Sequence, residues 1–409
     1  MLRPQTPPAR GPGRPRIFIS AAEPSGDRHA AQLIAALRAS LPQAEFFGVA
    51  GPGMRAAGCR AIADLTDRAA MLTSAFRLAG QAWLLIRRIG RMARDQRPDL
   101  AVLVDSPALH LPMAKKLKSA GCPVMAYIAP QLWAWAPWRI RRVRRVVDRL
   151  AVILPFEEEY FSRQGVPARY VGHPLVSQLR SASVDPAEVA ALREAGRPVV
   201  ACLPGSRSHV VREVIGGQIE VARRLVVDHP GAVFLFAGHP AVAEQVRAAV
   251  GDSGLNARVL TGRNAALLSA ADLALCASGT ATLEVAWYRV PMVVMYNGSK
   301  WGYRLVGRWL IRTPHLSLVN ILAGRRIVPE FMPYYTSTAP IAAEALSLLA
   351  DEARRERMRA DLRRVVEGLG PADAAAGAAA QALELLAAAG CCPVAFTAGR
   401  WGQPGRPDR

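Results

Sequence analysis

Short apolar runs of strand-forming residues alternate with longer helical stretches along most of the chain, and this alternation restricts the fold more than any other feature. The runs fall into two sets, residues 16–20, 100–105, 123–128 and 149–155, then residues 198–204, 232–238, 257–260, 273–278 and 291–296. Continuous apolar strands between helices are typical of parallel sheets covered on both faces. The sequence therefore predicts an α/β fold with two Rossmann-like doubly wound domains.

The chain of 409 residues is long enough for two such domains, each with its own core. Polar residues and prolines between Leu175 and Pro198 indicate the boundary. We expect a flexible tail at 1–15, a first domain at 16–180, a second at 195–345, helices at 346–389 that pack back toward the first domain, and a tail at 390–409. Ligands of this fold class bind beyond the carboxyl ends of strands, so the interdomain cleft is the expected site.

The charge of the chain is strongly basic and unevenly distributed. Half of the formal net charge of +20 lies between Arg87 and Leu150, where fourteen Arg or Lys residues outnumber four Asp residues. Such an excess favours an acidic partner, which is a nucleic acid, an anionic membrane or a phosphorylated substrate. The uncharged run at 119–138 is long enough to span a membrane, but its internal prolines exclude a spanning helix. The shorter run at 78–86 could lie on a membrane without crossing it.

The six cysteines form no CxxC pair and no His/Cys cluster, so no metal site is indicated. Buried, reduced thiols of a cytosolic protein are the expectation. The strand–turn–helix loops lack the GxGxxG pattern of dinucleotide sites, so no cofactor is predicted.

Two loops of the first domain are candidates for the site. Ser25, Gly26 and Asp27 follow the first strand and open a helix, where small residues let a ligand approach free N–H groups. Plain helix capping by Ser25 or Asp27 explains the same residues. Asp105 ends another strand, and Ser106 and Pro107 suit the N-cap and first helical positions. The Asp105 carboxylate is then available as a general base, unless a neighbouring loop binds it.

The second domain offers two further loops of the same kind. Gly205, Ser206 and Arg207 follow its first strand, and the guanidinium could clamp phosphate oxygens or simply lie at the surface. Four residues of the segment "LALCASGTATLEVAW" are more specific for a diphosphate site: Ser278, Gly279, Thr280 and Glu284. The loop presents N–H groups, hydroxyls and a helix dipole to a diphosphate. A carboxylate one turn later can hold ribose hydroxyls, or it can merely favour the helix start.

The stretch "YIAPQLWAWAPWRIRRVRRVVDRL" combines a Pro/Trp loop with an arginine-rich helix that starts near Pro137. Ile140, Val143, Val147 and Leu150 are predicted to form an apolar stripe on that helix. The cationic residues assigned to another face are Arg142, Arg145 and Arg149. This face suits phospholipid or an acceptor phosphate, and a solvated basic face over core tryptophans is the alternative.

Several segments together carry a resemblance to a known family. They are "AAEPSGDRHAA", "YIAPQLWAWAPWRIRRV", "LPFEEEYF", "YVGHPLV", "LPGSR", "ASGTATLEVA", "PMVVMY" and "SLVNILAGRRIVPEF". Their order and spacing, from about Ile17 to near Leu385, resemble lipid-A-disaccharide synthase. The resemblance implies a metal-free, inverting glycosyltransferase of the GT-B fold that works peripherally on the cytoplasmic face of the inner membrane in Gram-negative bacteria.

The implied reaction joins UDP-2,3-diacylglucosamine to 2,3-diacylglucosamine 1-phosphate and forms UDP and a β-1,6-linked disaccharide 1-phosphate. By the same resemblance, Asp105 matches the proposed general base, and Ser25-Gly26-Asp27 matches the first glycine-containing loop. The positions that match UDP-donor segments are Arg207, Ser278-Gly279-Thr280, Glu284 and Asn320. The expected partners are the two acylated sugars, an anionic inner-membrane surface and a second copy of the chain, without nucleic acid.

The chain departs from the family at two places, and two other functions compete. "SPALH" after Asp105 lacks a second carboxylate and an Asn, and residues 71–80 lack the family's usual Gly and Glu. A UDP-N-acetylhexosamine 2-epimerase would share the UDP site without a lipid acceptor. A basic nucleic-acid-binding protein would explain the charge, but the sequence has no RRM, KH or zinc signature.

Overall fold

The structure is a computed structural model that describes residues 14–65, 75–134, 137–298, 313–370 and 373–391. Most of the two predicted tails lies outside these residues, as do residues 71–74 of the segment at 71–80. The described helices and strands form two parallel-sheet α/β domains.

The first domain contains a seven-stranded parallel sheet with the strand order β3-β2-β1-β4-β5-β6-β7. The strands are β1 (Arg16–Ala21), β2 (Glu45–Val49), β3 (Arg60–Ala63), β4 (Leu100–Val104), β5 (Val124–Tyr127), β6 (Arg149–Val152) and β7 (Ala168–Tyr170). The helices are α1 (Pro24–Ser40), α2 (Pro52–Ala56), α3 (Ala75–Gln96), α4 (Pro107–Ser119), α5 (Ile140–Val146) and α6 (Pro155–Arg163). Buried side chains fill both faces of this sheet, as the apolar strands predict.

The second domain contains a six-stranded parallel sheet with the order β10-β9-β8-β11-β12-β13. Its strands are β8 (Val199–Leu203), β9 (Val233–Gly238), β10 (Ala257–Thr261), β11 (Leu273–Ala277), β12 (Met292–Met295) and β13 (Glu330–Phe331). Its helices are α9 (Ser208–Asp228), α10 (Ala243–Gly251), α11 (Asn264–Ala270), α12 (Ala281–Trp287), α13 (Leu318–Ala323), α14 (Ala339–Ala350) and α15 (Glu352–Gly368). All nine strands predicted from apolar runs are present.

Four strands were missed, and three of them had little signal. The strands β3, β7 and β13 have two to four residues and are only partly buried, so they carry no apolar run. The strand β2, "EFFGV", is buried from Phe46 onward and could have been recognised. Short edge strands escape pattern reading because sheet pairing, rather than their own hydrophobicity, defines them.

The boundary segment is helical and belongs by packing to the second domain. The helices α7 (Pro174–Ser181) and α8 (Pro186–Glu194) lie in the linker, and Asp185 Oδ1 caps α8 by accepting from the Ala187 N–H at 2.9 Å. Leu192 of α8 lies in the core of the second domain.

The last described helix, α16 (Ala374–Ala388), returns to the first domain. Its buried side chains Ala378, Ala382 and Leu386 share a cluster with Leu33 of α1. A Cβ added to Gly377 would lie 2.8 Å from the Val171 carbonyl oxygen, so glycine permits the close approach. By contrast, α15 packs with the second domain. The helices at 346–389 therefore divide between the domains.

Candidate active site

The strand order of the first sheet reverses direction between β1 and β4. These two parallel strands pair from Ile17↔Leu100 to Ala21↔Val104. Ligands of doubly wound sheets bind at such a switch point. Pro24, Ser25 and Gly26 form the first turn of α1 there. A Cβ added to Gly26 would be 3.6 Å from the Val104 carbonyl oxygen, so the loops after the two strands adjoin each other.

Asp27 has a structural role in this loop. Its carboxylate accepts hydrogen bonds from the N–H groups of Gly51 (2.9 Å), Gly53 (2.7 Å) and Met54 (3.1 Å) at the start of α2. The side chain is also buried. Three donors occupy most of the accepting sites of the buried carboxylate, so Asp27 supports the loop through α2 rather than by reaching into the cleft. Neither Ser25 nor Asp27 is the N-cap of α1, since that residue is Glu23.

Asp105 has a backbone conformation that side-chain-bearing residues seldom adopt. Its φ is 55°, and that of Ser106 is 46°. The Asp105 N–H donates to the Tyr127 carbonyl at 2.9 Å, and the Asp105 carbonyl lies 2.6 Å from His110 Nδ1. Ser106 is the N-cap residue of α4 as predicted, but its side chain makes no capping bond and its Oγ is buried without a partner. Ser106 therefore occupies the predicted N-cap position, and Pro107 begins the helix, without a capping hydrogen bond from the Ser106 side chain.

His110 fixes the turn that carries Asp105. It is buried, and its Nε2 lies 2.9 Å from Ser20 Oγ on the neighbouring strand β1. Burial lowers the pKa of His110 to about 4, so the ring is neutral. His110 thus joins β1 to the Asp105 carbonyl and acts as a structural residue.

Ile128, which follows β5, is a third residue of this region with a left-handed backbone, and its φ is 68°. A β-branched side chain in this region is strained, and such strain gathers at functional sites. Ile128 and Asp105 line the same small cavity of about 20 Å³ beside Pro130. The ends of β4 and β5 therefore form one strained edge next to the Pro/Trp loop.

The Pro/Trp loop is held by a buried carboxylate that sequence reasoning missed. Glu157 accepts from Trp133 Nε1 at 2.9 Å and from the N–H groups of Leu154 (3.1 Å) and Ile153 (3.3 Å). Burial raises the pKa of Glu157 to about 7 against the effect of these donors. Trp133 also packs edge-on against Phe156 with ring centroids 4.9 Å apart. Trp135 of the same loop lies outside the described residues.

The switch point of the second sheet lies between β8 and β11, which pair in parallel. Gly205 has a φ of 108°, and a Cβ added there would meet Val210 Cγ1 at 2.7 Å. Gly279 has a φ of 125° with open space around it. Ser206, Thr280 and Arg207 are exposed beside these glycines. Both loops therefore bring backbone N–H groups and polar side chains to one edge, as a diphosphate site requires.

Glu284 lies one turn into α12 and is mostly buried. Burial raises its pKa, and Asn264 Nδ2 opposes this by donating to both carboxylate oxygens at 3.2 Å. The Glu284 N–H donates to the Thr280 carbonyl, so the two residues are one helical turn apart, as predicted. Lone pairs of Glu284 remain for a hydroxyl donor, because a carboxylate accepts about four hydrogen bonds.

Asn320 is fully buried, so its side chain is not exposed to a bound UDP-sugar in this structure. Its Oδ1 accepts from Ile327 and Val328, and its Nδ2 donates to the Val328 carbonyl (2.9 Å) and to Glu330 Oε2 (3.0 Å). Glu330 also accepts from the N–H groups of Leu316 and Ser317. The Leu316 carbonyl lies 3.4 Å from Ser278 Oγ. Asn320 therefore supports the Ser278 loop from behind, through Glu330.

The two strand edges face one another across a cleft. Arg207 of the second domain pairs with Glu23 of the first at 3.3 Å, and both side chains are well exposed. Burial and the Arg28 charge of α1 lower the pKa of His239, which follows β9 in the second domain. Ser25, Gly26 and Asp105 follow strands on the first-domain side of this cleft, and the two loops at Gly205–Arg207 and Ser278–Thr280 follow strands on the second-domain side.

The basic helix is shorter than predicted, so Arg149 and Leu150 do not belong to it. Val143, Val146 and Val147 are buried, whereas Arg142 and Arg145 are exposed. However, α5 ends at Val146, and Arg149 lies in β6 because β6 pairs with β5 and β7. Arg149 donates to Gln381 (2.6 Å) and Glu384 (3.1 Å) of α16. Assigning Arg149 to the cationic face was therefore wrong.

Two further findings concern metals and membranes. Within the described ranges, no group of three or more His, Cys, Asp or Glu side chains is arranged to hold a metal ion. None of the helices in those ranges combines the length and hydrophobicity that crossing a bilayer requires.

Solved structures of low sequence identity share this fold. UDP-GlcNAc 2-epimerase from Neisseria meningitidis has a TM-score of 0.55 and 14% identity, with 86% of this chain and 98% of that chain covered. MurG from Acinetobacter baumannii has a TM-score of 0.54 and 13% identity, with 90% and 99% covered. At such identities the likeness establishes the two-domain GT-B architecture alone.

Relatives found by sequence have much higher identity to this chain than these solved structures. The profile of the lipid-A-disaccharide synthetase family matches residues 17–383. The lipid-A-disaccharide synthase of Myxococcus xanthus is 38% identical over 379 residues, which are 91% of this chain and 98% of that protein. That of Solibacter usitatus is 40% identical over 374 residues, with 90% and 97% covered. The described cleft and these nearly full-length matches agree that the chain belongs to the lipid-A-disaccharide synthetase family.

Proposed function

We propose that the chain transfers 2,3-diacylglucosamine from UDP-2,3-diacylglucosamine to 2,3-diacylglucosamine 1-phosphate. The products are UDP and the β-1,6-linked disaccharide 1-phosphate. The observation that carries this proposal is the facing pair of strand edges, with an acidic residue on one and anion-binding loops on the other, in a chain of this family.

The second-domain edge suits the UDP donor. The loops at Gly205–Arg207 and Ser278–Thr280 offer N–H groups, hydroxyls and a guanidinium to the diphosphate, and Glu284 can accept from ribose hydroxyls. The ion pair between Arg207 and Glu23 is exposed, so it is worth about 1 kcal/mol or less. A diphosphate can therefore replace Glu23 at the Arg207 guanidinium at little cost.

The first-domain edge suits the acceptor and the proton transfer. In an inverting transfer, the acceptor 6-hydroxyl attacks the anomeric carbon from the face opposite UDP. A bond forms between that oxygen and the anomeric carbon, the bond to the UDP oxygen breaks, and UDP leaves with the electron pair. Asp105 takes the hydroxyl proton as general base. Its strained turn, whose backbone carbonyl His110 binds, lies at the carboxyl end of β4 beside the switch point.

Stabilisation of the leaving UDP does not require a metal in this proposal. The sequence has no DxD triplet, and Arg207 with the N-termini of α9 and α12 supplies positive potential instead. Turnover should therefore persist in EDTA. A loss that magnesium or manganese specifically restores would refute this part.

The decisive experiment is incubation of the purified protein with both acylated glucosamine substrates, followed by mass analysis. We expect the disaccharide 1-phosphate and UDP in equal amounts. Release of UDP with a 2-epimerised sugar in the absence of acceptor would support an epimerase instead. Membership of this family also predicts peripheral association with the inner membrane and a homodimer, and both stay predictions.

A further inference from the structure

The backbone carbonyl of Asp105 finds its hydrogen-bond donor in a side chain. The turn at Asp105 and Ser106 is left-handed, and the N–H groups of Leu109 and His110 in the first turn of α4 donate to the Ser106 carbonyl. The Asp105 carbonyl thus lies outside the helix, and it is 2.6 Å from Nδ1 of the His110 ring. A partly buried carbonyl without a donor is costly, so His110 completes the turn.

The hydrogen bonds of the His110 ring fix which of its nitrogens holds the proton. A carbonyl oxygen can only accept, so Nδ1 donates its proton to Asp105. The ring is neutral, because burial lowers the pKa of His110 to about 4, and Nε2 therefore has a lone pair. The Ser20 hydroxyl lies 2.9 Å from Nε2 and donates to it. These groups form a serine–histidine relay of fixed direction, from the Ser20 hydroxyl through the ring to the Asp105 carbonyl.

The serine–histidine relay links the two strands at the switch point of the first sheet. Ser20 is fully buried on β1, opposite Leu103 of β4, and His110 is buried on α4. A hydroxyl and an imidazole in an apolar layer cost free energy unless both are hydrogen-bonded, and each satisfies the other here. His110 and Asp105 also line the same cavity of about 20 Å³, so removal of the ring leaves space into which the turn can relax.

We propose that Ser20 and His110 are positioning residues of the transfer reaction, which hold the turn at Asp105 and so set where its carboxylate stands relative to the acceptor hydroxyl. The inference deepens the proposed function, because it rests on Asp105 as the general base. Both residues are buried, so they act through Asp105 and not by contact with a substrate. A general base must stand within about 3 Å of the group whose proton it takes, and a misplacement of about 1 Å lowers turnover on the order of 100-fold.

Three single variants test the two ends of the relay. His110→Leu removes both ring nitrogens, so kcat should fall on the order of 10- to 100-fold. His110→Asn keeps an N–H group near the position of Nδ1 but cannot reach Ser20, so kcat should stay within about fivefold of the wild type. Ser20→Ala removes only the far end of the relay, and its kcat should lie between those of the other two. The KM for the UDP donor should not change in any variant, because the donor loops belong to the second domain.

A double-mutant cycle distinguishes positioning from a general loss of structure. In an Asp105→Asn background the base is already absent, so His110→Leu should lower the residual turnover by less than about twofold. Partial unfolding would lower turnover by the same factor in both backgrounds. The matched control is Leu117→Ala, which is buried in the last turn of α4 and should have the same effect with and without the Asp105 carboxylate.

An NMR measurement tests the relay without turnover. In wild-type protein with isotope-labelled histidine, the ring signal that disappears in His110→Asn should be that of a neutral ring with its proton on Nδ1 at neutral pH. A proton on Nε2 overturns the relay. So do equal losses of kcat from His110→Leu in the two backgrounds, or a loss in His110→Asn as large as that in His110→Leu. If the wild type forms no disaccharide, the proposed function fails and the positioning role fails with it, whereas an active wild type with additive variants rejects the positioning role alone.

Discussion

The two strand edges that face each other across the cleft are built from different kinds of turn. The second-domain edge uses glycine at its unusual positions, with φ values of 108° at Gly205 and 125° at Gly279. The first-domain edge uses Asp105, Ser106 and Ile128 at φ values of 55°, 46° and 68°. Glycine adopts such angles freely, whereas each of the other three residues costs on the order of 1 kcal/mol or more.

This difference suggests how each edge works. A glycine turn exposes backbone N–H groups, which suits binding of a diphosphate by the main chain. A strained turn persists only where the surrounding structure determines it, and here His110 and Tyr127 bind the backbone of Asp105. The first-domain edge therefore depends on side chains, and the second-domain edge depends more on backbone. The following predictions test that contrast.

The largest expected effect is at Asp105. Asp105→Asn keeps the size of the side chain but removes the basic oxygen, so turnover should fall by on the order of 10² to 10⁴ while donor binding stays intact. The measurements are kcat and UDP-donor affinity of the folded variant. An Asp105→Asn protein that keeps most of its kcat would falsify the general-base role. Loss of donor affinity alone would give Asp105 a binding role instead.

The next effect concerns stability and comes from Glu157 behind the Pro/Trp loop. Its pKa is about 7 in the folded protein against a usual 4.5, so the folded state holds the proton more tightly than the unfolded chain between these values. The wild type should therefore lose about 3 kcal/mol of unfolding free energy as the pH rises from 4.5 to above 7.

Glu157→Gln removes this titration, so the unfolding free energy of the variant relative to wild type should rise with pH across the same window. Denaturant unfolding at pH 4.5, 6 and 7.5 measures the difference. Glu158→Gln is a neighbouring control, since Glu158 is on the same helix but pairs with the exposed Arg169. A relative stability that does not change with pH would contradict the raised pKa.

Arg207 tests the donor edge. Arg207→Ala should lower turnover at subsaturating donor by more than tenfold, because the leaving diphosphate loses a charged clamp. Glu23→Gln removes only the partner of Arg207 in the free protein, so it should leave this turnover nearly unchanged or raise it slightly. Equal losses in the two variants would mean that Arg207 acts by holding the domains together rather than by binding the donor.

The sequence predicted the second-domain edge better than the first for a physical reason. Glycine after an apolar strand marks an unusual φ directly, so the turns at Gly205 and Gly279 are visible in the sequence. The residue types of Asp105, Ser106 and Ile128 do not fix a left-handed backbone in the way that glycine does, because tertiary hydrogen bonds impose it here. Glu157 and Glu330 were missed for a related reason, since only the fold brings their hydrogen-bond donors together.

The placement of Arg149 on a helix face was wrong for an identifiable reason, whereas a role of Asn320 in donor binding stays a prediction. Arg149 was placed on a helix face by extending a 3.6-residue period beyond Val146, although β-sheet pairing begins at Arg149. Asn320 matches a donor segment of the family, and a motif match does not separate residues that contact a ligand from residues that hold the loop. The Arg149 error concerns where a helix ends and a strand begins, whereas nine of the thirteen strands and the order of the loops were predictable from the apolar pattern.

The smallest expected effects are changes in stability caused by one substitution in each kind of turn. Gly279→Ala places a Cβ at a φ of 125°, where space is open but the backbone conformation is unfavourable, so it should destabilise the protein by roughly 1–2 kcal/mol. Ser106→Gly should be neutral or stabilise it by up to about 1 kcal/mol, because it relieves strain at a φ of 46° and its Oγ makes no hydrogen bond. The greater freedom of glycine in the unfolded chain offsets part of that gain. Thermal and denaturant unfolding of both variants measure the two changes. If Ser106→Gly is as destabilising as Gly279→Ala, then the first-domain turn is not strained, and the contrast between the edges fails at its structural basis.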